Sequence, residues 1–239
     1  RQRQMCIRDR CRSVLIQCAS ADLCAGSSGQ WDNRGLMPQF PPTDRSIPPS
    51  LVPDGPPADL APAAVRLATE RWLERAVIGL NLCPFAKAEH VHGRIRYVVS
   101  EALSPQDLLE DLRGELDFLQ AQDPVQVETT LLIHPRVLGD FIDYNTFLGD
   151  ADDLLVEMEL DGLLQIASFH PHYQFAGTRE DDITNYTNRS PFPTLHLLRE
   201  ASIDRAVDAF PEAEQIYERN MQTMERLGLA GWRKLFEPQ

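Results

Sequence analysis

The chain has 239 residues, ample for one domain and thin for two. Its formal net charge of -13 repels phosphate backbones and anionic lipid, so no nucleic-acid and no membrane partner is expected. Apolar residues make up 43%, enough for a sizeable core, yet no run approaches the roughly 18–20 apolar residues of a membrane span.

Residues 1–10, RQRQMCIRDR, resemble a translated transposase-type sequencing adapter, so residues 1–36 are expected to be a non-native leader, with Met37 as the start. Cys6, Cys11, Cys18 and Cys24 all fall in that leader and are therefore not read as a disulfide or zinc framework. Only Cys83 lies beyond it, which suits a cytoplasmic protein. Residues 37–58 are rich in proline and poor in apolar mass, and are expected to form a disordered tail. A single α/β domain is expected over residues 59–235.

The first helix is expected from an Asp59 N-cap, with Pro62 in its first turn and Val65, Trp72, Leu73, Ala76, Val77 and Leu80 at helical spacing. Pro84 ends it. Residues 94–100 alternate as a strand. Ser104, Pro105 and Asp107 open a second helix with a capping box, followed by the stripe Leu108, Leu112, Leu116 and Leu119. A second strand spans 127–134. A third helix spans about 137–160, whole or broken at Gly149, and a third strand spans 163–170. The polar stretch 177–193 has no period and reads as a long functional or disordered loop. Helices follow at 194–200, at 203–209 and from Pro211 to Leu227, where Gly228 is the expected stop. The order α-β-α-β-α-β-loop-α-α-α implies a small parallel sheet of about three strands with helices packed around it, and a fourth short strand is placed near 173–176.

In open parallel sheets, ligands bind beyond the carboxyl ends of the strands. Strands two and three both end in His-Pro, so His134 and His170 are expected at one edge, with His172 two residues on. Three neutral imidazoles suit a divalent metal such as zinc with an open fourth position. His134, His170 and His172 are the candidate ligands, with His196 or Glu200 in reserve. The alternative is that each imidazole is hydrogen-bonded locally. Cys83 with His170 beside it would form a nucleophile pair, although a helix C-terminus disfavours a thiolate. Cys83, His170 and Arg189 are accordingly the candidate catalytic residues, against the alternative of a buried structural thiol. Arg189 is also placed to grip a carboxylate or phosphate, with Tyr173, Asn185, Tyr186 and Asn188 adding contacts. The alternative is that Arg189 pairs with Asp181 or Asp182 and holds the loop down. Asp150, Asp152 and Asp153 read as capping for the second half of helix three.

The stretches NLCPFAK, HPHYQFAGT and YTNRSPFPTLHLLREASI resemble a bacterial family known as domain of unknown function 1415, over about Val65 to Trp232. The resemblance implies a single-domain soluble protein marked by Cys83, Pro84, His170, His172, Tyr173, Asn188, Arg189 and His196, and brings no activity with it. The leading expectation is a small cytoplasmic enzyme, a metal-assisted hydrolase with its histidine pocket at the strand ends. The alternatives are a non-catalytic module holding a small anionic ligand around Arg189, a Cys83-dependent enzyme, and an interaction domain using the last helix. The oligomeric state is not set by the sequence.

Overall fold

The structure is a computed structural model and describes residues 60–209 and 215–237. The expected leader, proline-rich tail, Asp59 cap and Pro211 helix start lie outside these residues. Helix α1, Pro62–Trp72, begins at Ala61 with proline in its first turn and no side-chain cap. It runs on into a π-helical turn, Leu73–Ile78. Gly79 closes that turn, its N–H bonding the Glu74 carbonyl at 2.9 Å. A Cβ at this position would fall onto the Arg75 carbonyl oxygen, so the wider turn requires glycine.

Helix α2, Ala86–Val91, leads to strand β1, Ile95–Val99. Helix α3, Pro105–Ala121, starts with the expected capping box between Ser104 and Asp107. Leu108, Leu112, Leu116 and Leu119, four and then three residues apart, are fully buried, each worth about 1.5–3 kcal/mol. Strand β2, Thr129–Ile133, is buried throughout. Helix α4, Phe141–Glu157, is unbroken through Gly149 and is capped by Asp140. Asp150, Asp152 and Asp153 therefore sit on its exposed face and start no second helix. Strand β3, Leu164–Phe169, precedes the polar loop, which holds a 3-10 turn at Ile183–Thr187.

The α/β class stands, with a different fourth strand. Residues 194–200, expected to be helical, form strand β4, Thr194–Arg199, while residues 173–176 form no strand. The sheet order is β1-β2-β4-β3. The β1–β2 pair is parallel, and β4 is antiparallel to both of its neighbours. The three expected strands thus share one direction, with β4 inserted between β2 and β3. Leu195 and Leu197 of β4 join the core on the α3–α4 face, whereas His196 points to the other face beside Phe169. That second face is covered by α1, its π-turn, the 3-10 turn and the last helix. Helix α5, Glu200–Ala209, and helix α6, Ile216–Lys234, complete the fold. Gly228, the expected stop, adopts φ 60° and breaks α6, which then resumes as far as Lys234.

Candidate functional site

The carboxyl ends of β2 and β3 and the start of β4 meet at one edge, because Thr194 pairs with both Ile133 and Phe169. His134 and His170 step off this edge together, as their spacing predicts. The His134 N–H bonds the Pro193 carbonyl at 3.0 Å, and the His170 N–H bonds the Asn188 carbonyl at 3.2 Å. Their rings both lie against Tyr144 of α4, with centroid distances of 5.6 Å and 5.0 Å. Tyr144 donates its hydroxyl to the Thr194 carbonyl at 2.9 Å.

Both imidazoles bond the loop between β2 and α4, His134 through one nitrogen only, since its Nε2 is buried without a hydrogen-bond partner among the described residues. His134 Nδ1 donates to the Val137 carbonyl at 3.1 Å, and His170 Nε2 donates to the Leu138 carbonyl at 3.2 Å. His170 Nδ1 in turn accepts the His172 N–H at 3.0 Å. Both nitrogens of His170 are therefore engaged, which fixes the neutral tautomer. Burial drives the His134 pKa down to about 4 and, as the main cause, the His170 pKa down to about 3.

This geometry corrects the metal reading. His170 has no free lone pair. His196 lies mid-strand on the other face, with Nε2 2.8 Å from the Thr129 hydroxyl. Glu200 opens α5 beyond the end of β4. Among the described residues no group of three or more His, Cys, Asp or Glu is arranged to hold a metal ion. His172 alone of the set is exposed; burial lowers its pKa first and the nearby Arg189 charge second.

Cys83 lies in the turn after α1, half-buried against the second core with Leu82 and Trp72. Burial pushes its thiol up, and only the backbone amides of Phe85 and Ala86 oppose this. No imidazole or ammonium group acts on it, so it lacks what makes a thiolate.

The polar loop is ordered by its own side chains. Asn185 is fully buried, accepts from the Phe175 amide and the Thr178 hydroxyl, and donates to the Arg179 carbonyl. Asn188 donates to the Ser168 carbonyl at 3.3 Å and so fastens the loop to β3. Tyr173 is packed among Phe141 and Phe175. These three expected ligand contacts are used up within the fold.

Arg189 differs. Its side chain is buried to 5% exposure, with Nε donating to the Tyr173 carbonyl at 3.2 Å and Nη2 to the Glu180 carbonyl at 2.7 Å. Its guanidinium lies over the Tyr186 ring, 4.4 Å from the centroid. The expected partners are committed elsewhere: Asp181 pairs with Arg179, and Asp182 caps the 3-10 turn. No carboxylate forms an ion pair with Arg189 among the described residues. Tyr186 packs edge-on against Trp232 of α6 at 5.3 Å; the Trp232 indole N–H is buried without a hydrogen-bond partner among the described residues, and the Tyr186 hydroxyl, also buried, faces the Arg189 guanidinium as its nearby polar group. Trp232 and Tyr144 were not singled out in the sequence. Each falls on the apolar stripe of a helix, where an aromatic residue reads as packing alone.

The fold and this edge define a small mixed α/β domain with a buried, carboxylate-free arginine beside an aromatic pair. The family model described as protein of unknown function (DUF1415) matches residues 64–234, and the chain belongs to that family. Neither the curated proteins nor the solved structures give a match. Among the described residues, no helix is long and apolar enough to cross a membrane.

Proposed function

We propose that the chain is a non-catalytic binding module for a small anionic ligand, a carboxylate or a phosphate, held at Arg189. The observation that carries this reading is an arginine at 5% exposure whose guanidinium has two carbonyl oxygens and an aromatic face as partners. A buried charge without a counter-charge is costly, by several kcal/mol in a dry site. The Tyr186 ring offsets part of that cost, on the order of 1–2 kcal/mol. An anionic group would supply the missing charge. The unpartnered Trp232 N–H is a donor of the kind such a ligand accepts from, and the Tyr186 hydroxyl beside Arg189 keeps its own proton to donate. Turnover has less support, since His170 is saturated and the Cys83 thiol is unactivated.

Thermal unfolding at constant ionic strength, against inorganic phosphate, a phosphate monoester and mono- and dicarboxylates, tests this. One class should raise the midpoint, by about 2.7 kcal/mol of stabilisation at a hundredfold excess over Kd. Arg189→Ala should cut the response sharply, and Tyr186→Phe should weaken it. A flat panel, or an unchanged response in Arg189→Ala, contradicts the proposal.

A further inference from the structure

A cleft of about 190 Å³ lies between the turn that follows the π-helical segment and the first half of α6. It shares no residue with the Arg189 site. Asn81 and Pro84 form one wall, and Arg219, Asn220, Thr223 and Arg226 line the other. The helical residues at 219, 223 and 226 recur every three or four positions, so they present one face to the turn. Asn220 ties the walls together by donating to the Leu82 carbonyl at 2.9 Å. Asn81 holds a left-handed backbone conformation, φ 54°, which asparagine tolerates better than most residues and which commonly marks functional turns.

The lining is rich in donors. It carries two guanidinium groups, three side-chain amides and a hydroxyl, and no carboxylate among the described residues lines it. In a chain of net charge -13 such a surface is an exception. Among the described residues, Arg226 is held only by long bonds within its own helix, 3.3 Å to the Gln222 carbonyl and 3.4 Å to the Thr223 hydroxyl. It can turn toward a ligand at little cost. The volume is several times the roughly 30 Å³ share of one water, so it admits a phosphate group with a few attached atoms.

We infer that this cleft is a second binding site, for the phosphate group of a small phosphorylated molecule. Arginine on one wall supplies charge and planar donors, and the amides of Asn81 and Asn220 supply neutral donors from the turn and the helix.

The full chain, labelled with ¹⁵N, is titrated at constant ionic strength with inorganic phosphate and then with glycerol 3-phosphate, and the backbone and side-chain amide signals of Asn81 and Asn220 are followed. Saturable movement with both probes is expected. Arg226→Ala, an exposed change that leaves packing intact, should weaken the apparent affinity at least fivefold, and Arg219→Ala should act in the same direction. Arg189→Ala should leave these signals responding as before, even if the first site is lost. Non-saturating drift, equal affinity in Arg226→Ala, exclusion of the ester, or movement confined to residues around Arg189 would each overturn the inference.

Discussion

His134 and His170 fasten the same loop, one donating to the Val137 carbonyl and the other to that of its neighbour Leu138. Leu138 holds a left-handed conformation, φ 56°, so the loop is pinned where its backbone is least relaxed. The histidines at the strand ends thus act as a structural clasp at this edge of the sheet.

A clasp of neutral imidazoles makes stability depend on pH. The folded pKa values, about 4 for His134 and His196 and about 3 for His170, lie below the ordinary 6.5. The unfolded chain therefore binds more protons, and stability rises with pH. It is fully present above about pH 6.5 and is lost as pH falls through about 4 to 3. With one pKa unit worth about 1.4 kcal/mol, each imidazole contributes on the order of 3–5 kcal/mol across that window. Denaturant unfolding at pH 7 and pH 4.5 should show the loss, and His134→Gln should reduce it by the share of one imidazole. A pH-independent midpoint would contradict the clasp.

Tyr144 supports both rings and also bonds the Thr194 carbonyl. Tyr144→Phe keeps the ring contacts and should cost about 1 kcal/mol, the net worth of one hydrogen bond. Tyr144→Ala should cost about 3–5 kcal/mol. Chemical denaturation measures both, and equal losses would mean that the ring contacts carry nothing.

Gly79→Ala should destabilise the fold by about 1–3 kcal/mol, because the new methyl meets the Arg75 backbone and the chain must shift. At an ordinary α-helical glycine the same change would stabilise. A raised thermal midpoint would show that the π-turn relaxes freely.

Arg199 ends β4 with Nη2 donating to the carbonyls of Leu119, Gln122 and Val127, at 2.7, 2.9 and 3.1 Å. It closes the C-terminus of α3, where a cation is favoured by the helix dipole. Arg199→Met should cost about 2–3 kcal/mol and speed amide exchange in the last turn of α3. Unchanged exchange there would remove this role.

Much of this was legible in the chain. The leucine stripe of α3, its capping box and the three parallel-running strands follow from period and cap chemistry alone. The segment TLHLLR misleads, since Leu195, Leu197 and Leu198 sit where a helix would place them too. Only pairing with β2 on one side and β3 on the other makes it a strand, and such long-range contacts leave no local mark. The common edge for His134 and His170 was also legible, but not the Val137 and Leu138 carbonyls that occupy them. Arg189 stood out in the sequence through its polar loop. That its expected partners Asp181 and Asp182 are committed elsewhere depends on side-chain geometry that no pattern of residue types encodes.

The most direct test is a crystal structure of the chain with the anion that responds most strongly in thermal unfolding. The account predicts density for its charged group within hydrogen-bond distance of the Arg189 guanidinium, with the Tyr186 hydroxyl turned toward it. An anion bound elsewhere, with Arg189 still meeting only the Tyr173 and Glu180 carbonyls, would contradict it.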